Sequence, residues 1–204
     1  MSELLIGSNN QSKVTMYREM LGSELTVVTP ADLGLNLDIT EDLFDIVGNS
    51  QEKARKFATE AGRLALSDDS GIFIPALGGE PGVAARRWAG ELPADISDRD
   101  WIKYFLRKTR DLKGDDRAAS IRRVISVANP AGSVETHDFV TTGTLMRLPS
   151  PLGYQPGGPF AAYFRHDTFG KAESELSTEE KNIYYSEIRT RILQSVKDLT
   201  SVVE

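Results

Sequence analysis

The segment Leu64-Ala65-Leu66-Ser67-Asp68-Asp69-Ser70-Gly71-Ile72-Phe73-Ile74 sets two adjacent carboxylates between two apolar runs. Leu64 to Leu66 and Ile72 to Ile74 predict two short strands, and the polar residues between them predict a turn. Neighbouring side chains on an extended chain point to opposite faces, so Asp68 and Asp69 are assigned different tasks. One suits a hard cation, the other a proton or a water. The Gly-rich Gly78-Gly79-Glu80-Pro81-Gly82 follows, and then Arg86 and Arg87. The plainer alternative is a turn whose Asp and Ser bond only the local backbone. The rest of the chain decides between the two.

The segment belongs to a chain of 204 residues, long enough for one large domain or two closely packed lobes. With 40% hydrophobic and 26% charged residues it reads as a globular protein with a full core. A net charge of -6 argues against binding along a nucleic-acid polymer, but a local cluster of cations can still hold a small anion. There is no cysteine, which removes disulfide and thiolate chemistry, and two histidines make a zinc site a poor fit. No apolar run is long enough to span a bilayer, and Ser2-Glu3 gives no basic signal region. The expectation is a cytoplasmic protein with no membrane partner.

Upstream, Leu4-Leu5-Ile6 predicts a buried strand, Gly7 to Lys13 a small polar loop, and Lys13 to Leu21 a helix stopped by Gly22. A strand, loop and helix in this order present backbone N–H groups where phosphate is favoured, and Lys13 adds a charge there. The loop lacks the P-loop pattern, so Ser and Asn acting only as caps is the competing reading. Glu24 to Val28 predicts a second strand, and Ile46 to Ala61 a helix with Ala54, Phe57, Ala58 and Ala61 as its apolar stripe. Lys53 on that helix has a solvated face as its bland reading.

Downstream, Ser97-Asp98-Arg99-Asp100 opens a helix carrying Trp101, Ile102, Phe105 and Leu106 as core residues. Ala118 to Ala128 and Ser133 to Leu145 predict a hairpin across Asn129-Pro130-Ala131-Gly132. Pro149 to Pro159 is a Gly/Pro-rich loop of a length that often carries function. Ser177-Thr178-Glu179-Glu180 caps a last helix with Ile188, Ile192, Val196 and Leu199 on one face.

Read together, these motifs resemble the inosine triphosphate pyrophosphatase family over nearly the whole chain. Ser8-Asn9-Asn10-Gln11-Ser12-Lys13 is similar to its T-G-N-x-G-K turn, and Asn49 with Lys53-Ala54 to its N-A-x-x-K-A helix. The most specific match is Ser67 to Gly71 with Ala76 to Gly82 and Arg87; Gly153-Tyr154 and Glu179-Glu180-Lys181-Asn182 match later motifs. The resemblance implies an elongated α/β fold: a mixed central sheet flanked by helices, in two lobes with a cleft between them. It also implies a homodimer and Mg²⁺-dependent hydrolysis of a nucleoside triphosphate to monophosphate and pyrophosphate.

By position, Ser8, Asn10, Lys13 and Lys53 would hold the triphosphate, with Ser70, Arg87 and Lys181 as further substrate contacts. Glu41 and Asp68, with Asp69, would hold the magnesium. Asp69 would activate the water, with Lys53 beside it. Leu152, Tyr154, Gln155, Ser186 and Glu187 would face the base. Here the chain departs from the pattern: Leu152-Gly153-Tyr154-Gln155-Pro156 stands for F-G-Y-D-P, and Tyr185-Ser186-Glu187 for S-H-R. Gly48 and Ala85 replace a usual Glu and Ser. Arg only donates hydrogen bonds and Glu only accepts, so the base preference is expected to differ from inosine and xanthosine. The competing functions are a nucleotide sensor with little catalysis, and a hydrolase of another phosphorylated metabolite.

Overall fold

Leu4, Leu5 and Ile6 are all removed from water, and the strand that carries them sits between two others. The computed structural model describes residues 2–8, 10–37, 39, 45–93 and 95–201. In chain order the strands are β1 (Ser2–Ile6), β2 (Leu25–Val28), β3 (Ala65–Phe73), β4 (Pro81–Gly82), β5 (Ala118–Ala128), β6 (Val134–Leu145) and β7 (Phe164–His166). The helices are α1 (Gln11–Leu21), α2 (Ile46–Ala61), α3 (Asp98–Thr109) and α4 (Thr178–Ser201). Among the described residues the strands form one sheet in the order β2-β1-β3-β5-β6-β7, with β4 paired to β3. β1 runs parallel to β2 and β3, whereas β3–β4 and β6–β7 are antiparallel. The expected mixed α/β sheet with flanking helices is therefore observed.

The chain divides into two compact units, and it passes from one to the other within β3, β5, β6 and α4. The first comprises residues 1–69, 123–139 and 184–204. Strand alternation sorts its apolar residues onto two faces. Leu4 and Ile6 of β1, Leu66 of β3, and Ile125 and Val127 of β5 join Val14, Tyr17 and Leu21 of α1 and Ile188, Ile192 and Val196 of α4. Leu5 and Ala65 face the other way, onto Ala54, Phe57 and Ala58 of α2. A strand covered on both faces needs a continuous apolar run, which is why β1 reads as one.

The two short strands and turn expected over 64–74 are instead the single strand β3. Its alternation carries the two faces forward: Leu66 and then Asp68 toward α1 and α4, Ala65 and then Ser67 and Asp69 toward α2. The helix expected from Lys13 begins two residues earlier, at Gln11.

The second unit, residues 70–122 and 140–183, has an aromatic core. Trp101 and Phe105, one turn apart on α3, stack with centroids 5.5 Å apart, and Trp88, Phe160, Tyr163 and Phe164 surround them. Arg117 is buried at its edge and donates to the carbonyl oxygens of Thr109, Leu112, Leu145 and Met146. Four neutral acceptors thus satisfy a guanidinium that has left water. The capping box read for α4 is present, on Ser177 and Glu180, whereas at α3 Ser97 Oγ caps the Asp100 N–H and its hydroxyl donates to the Asp100 carboxylate.

Candidate active site

The loop between β1 and α1 is built from its own side chains. Ser8 Oγ accepts from the N–H of Asn10 at 3.1 Å, and Asn10 Oδ1 accepts from the N–H groups of Ser12 and Lys13. Asn10 is therefore the N-cap of α1, as its side-chain type favours. This cap fixes where α1 starts, and so where Lys13 stands in its first turn.

Lys13 reaches back to β3, where its Nζ donates to the carbonyl oxygen of Asp68 and lies 3.3 Å from Asp68 Oδ1. The other carboxylate oxygen, Oδ2, accepts from the Tyr17 hydroxyl at 2.9 Å and lies 3.7 Å from Arg123 Nε. The Asp68 side chain is only 1% exposed. Burial alone would raise its carboxyl, but Lys13 and Arg123 beside it, with the hydrogen bonds from Tyr17 and Lys13, hold it below the usual carboxylate range. Burial, then the Asp68 charge, pushes the Tyr17 phenol well up. Burial would lower Arg123, yet Asp68 together with Tyr185, Tyr17 and Tyr184 outweighs it and holds the guanidinium charged.

Asp69 belongs to the other face. Its Oδ1 lies 2.6 Å from Nζ of Lys53, which rises from the middle of α2, and the two side chains are 15% and 13% exposed. The solvated-face reading of Lys53 does not hold. Behind this pair Ser50 Oγ lies 3.1 Å from the Val124 carbonyl, 3.3 Å from that of Ser67 and 3.0 Å from Ser126 Oγ. These bonds tie α2 to β3 and β5 at the level of Asp69, so the pair rests on fixed elements. Successive carboxylates on one strand thus each hold their own lysine, one from α1 and one from α2. Among the described residues, three cations face two carboxylates here.

Ser186 and Glu187 lie on the exposed side of α4, next to the buried Tyr185 and Ile188. The rings of Tyr184 and Tyr185 lie with centroids 4.6 Å apart, and Tyr185 is a core residue of the first unit. Ser70 continues β3, and Arg87 is half-buried in a short turn. Leu152 is 68% exposed; Tyr154 and Gln155 are also exposed, and the Gln155 carbonyl accepts from the N–H of Gly158. Lys181 is half-buried in the first turn of α4. Glu41 lies outside the described residues.

The donors bear on whether magnesium fits. Mg²⁺ is held by one or two carboxylates completed by water and substrate phosphates. Asp69 and Asp68 are of the right kind, but they face opposite sides of the sheet, and both oxygens of Asp68 are engaged by Lys13, Tyr17 and Arg123. Among the described residues no three of His, Cys, Asp and Glu converge as a metal site. Asp69 is the one that suits such an ion, with a lysine that an anionic ligand can draw away. Sequence reading missed Tyr17 and Arg123. Tyr17 stands one helical turn after Lys13 on the same face, and Arg123 shares its strand face with Ile125 and Val127.

Residues 4–197 match the Ham1 family, and the chain belongs to it. It is similar to the dITP/XTP pyrophosphatase of Thermus thermophilus, 32% identical over 89% of this chain and 84% of that protein. It is likewise similar to the dITP/XTP pyrophosphatase of Desulfotalea psychrophila, 34% identical over 88% of this chain and 77% of the other. Among solved structures, a HAM1 protein from Coxiella burnetii superposes with a TM-score of 0.73 at 28% identity, covering 95% of this chain and 100% of that one. The Staphylococcus aureus Ham1 protein gives 0.68 at 27% identity, over 89% and 90%.

Proposed function

We propose that this member of the Ham1 family hydrolyses a nucleoside triphosphate to the monophosphate and pyrophosphate, with magnesium as its cofactor and a base preference moved away from inosine and xanthosine. The observation that carries the reaction is the paired arrangement on β3, in which each aspartate holds a separate lysine. An incoming triphosphate competes with the carboxylates for both ammonium groups. As Lys53 turns to the phosphate, Asp69 is left with an oxygen that can accept a proton. The water oxygen bonds to the α-phosphorus, the bond from that phosphorus to the bridging oxygen breaks, pyrophosphate leaves, and Asp69 takes the proton. Lys53 stabilises charge spreading over the phosphoryl oxygens, while Lys13 holds the phosphate chain. A magnesium ion held by Asp69, Glu41 and phosphate oxygens would add charge neutralisation.

The altered base preference is supported by the side chains available to a base. Exposed Leu152 has no aromatic face, and an aromatic is typically worth about 1–3 kcal/mol per stacked base. Exposed Glu187 offers only an acceptor, so a purine 6-oxo group would meet like polarity at roughly 1–3 kcal/mol, while an exocyclic amine would be matched. The protein is also taken to work as a cytoplasmic homodimer. Exposed Val140, Leu148 and Ile183 in the second unit offer apolar surface for a second copy, and light scattering on a sized sample checks this. No described helix is long and apolar enough to cross a membrane.

The test is pyrophosphate release from inosine, xanthosine, adenosine, guanosine and pyrimidine triphosphates with magnesium, for the wild type and Asp69→Asn. Turnover should fall by about 10²-fold or more in the variant, with nucleotide binding kept. Release from no triphosphate would remove the reaction, and a strong inosine preference would remove the altered base specificity.

A further inference from the structure

We propose that Arg123 and Tyr17 are positioning residues that keep Lys13 available to a polyphosphate by taking up the charge of Asp68. The inference rests on the triphosphate reading above only for the identity of the ligand.

Asp68 is a buried carboxylate with one lysine near it, and two such groups alone would form a neutral pair. Lys13 would then be a counter-ion and would present little charge to a ligand. The two oxygens divide the work differently. Oδ2 takes the Tyr17 hydroxyl and faces Arg123, whereas Oδ1 faces Lys13 at 3.3 Å, longer than a good charged hydrogen bond. Arg123 is itself 15% exposed, set between Asp68 and Met16, whose Sδ lies 3.2 Å from Arg123 Nη1. Where the buried Arg117 has carbonyl acceptors around it, Arg123 has the buried Asp68 carboxylate beside it, and each compensates the other's charge. Arg123 fixes this balance from β5, while Tyr17 fixes it from the same helix as Lys13. The group of Lys13, Arg123 and Asp68 then keeps one net positive charge at the start of α1, where an anion would lie. Lys53 and Asp69 are on the other face of β3, so this balance acts on binding more than on the chemical step.

The experiment titrates inorganic tripolyphosphate into the full chain by calorimetry and measures KM and kcat in parallel. R123M removes the charge and should weaken tripolyphosphate by about tenfold or more, the scale of losing one unit charge near a partly exposed site. KM should rise to match, with kcat changed less than about threefold. R123K keeps the charge and should stay within about threefold of the wild type. Tyr17→Phe should weaken binding about two- to threefold, the scale of one neutral hydrogen bond. The decisive variant is R123M/D68N. It removes both buried charges, leaves Lys13 unopposed, and should recover most of the affinity lost in R123M. A packing role for Arg123 would give no such recovery. If R123M does not fold, R123Q with and without D68N makes the same comparison. Unchanged affinity in R123M or R123Q, or no recovery in either double variant, overturns the proposal. A wild type that binds tripolyphosphate but hydrolyses no nucleotide overturns the enzymatic reading instead and leaves the Arg123 comparison intact.

Discussion

Replacing Lys53 by Met separates the structural from the catalytic use of the Lys53–Asp69 pair. The ammonium lies 2.6 Å from Asp69 Oδ1, with both side chains about seven-eighths out of water. Losing one partner of a fully buried pair costs about 3–5 kcal/mol, and of an exposed pair less than about 1. A geometry between these limits, closer to buried, gives about 2 kcal/mol of lost stability for Lys53→Met. In a chain of this length each kcal/mol moves the melting temperature by about 2–4 °C, so the variant should melt roughly 4–8 °C below the wild type. Adding Asp69→Asn removes the carboxylate charge that Lys53 no longer offsets and should return at least half of that loss, although the double variant holds neither group of the catalytic pair. Calorimetry at pH 7 without nucleotide reads the stability, and pyrophosphate release reads turnover, which should fall in both variants. If Lys53→Met melts within about 1 °C of the wild type, the pair is not formed in the free protein. The competition between triphosphate and Asp69 for Lys53 then has no basis.

Gly7→Ala should destabilise by about 1–3 kcal/mol, because its Cβ would meet Phe57 Cδ2 at 2.4 Å under α2; Gly7→Ala with Phe57→Leu should recover part of the loss in urea titrations. His137 should make stability fall with acid: burial, then Arg191, lowers its pKa despite Glu135, so the folded state prefers the neutral ring that meets Ser195 Oγ at 2.8 Å. A folded pKa below the unfolded value near 6.5 means stability is fully present above that value and is lost as pH falls below it. The melting temperature of His137→Gln should therefore fall less than that of the wild type between pH 7 and 5; equal slopes would place the acid sensitivity elsewhere.

How much of this was open to sequence reading depends on whether the determinant is periodic. β1, α2, the β5–β6 hairpin and the α4 capping box follow from local spacing, and they are present. β3 was broken in the reading because Ser, Asp and Gly are poor strand formers, and propensity sees no partners. In the fold the strand is paired with β1 at Ala65 and Leu66 and with β4 at Ile72 and Phe73, and its polar residues between are held by Lys13, Lys53 and Ser50, none adjacent in sequence. The site chemistry was more legible than the strand that carries it, since alternation already forbids two neighbouring aspartates from sharing one task. Arg123 shows the same rule applied too narrowly. Arg123-x-Ile125-x-Val127 puts a charge in line with two core residues, and a cation on an inward face calls for a buried anion or, as at Arg117, for carbonyl acceptors. Which anion is a question of fold, because 55 residues separate it from Asp68 and only adjacent strands of one sheet bring them together. Residues 149–159 and α4 mark the opposite limit. Their departures from the family pattern are plain in the sequence, but Leu152 and Glu187 are exposed side chains whose meaning is set by the base they meet.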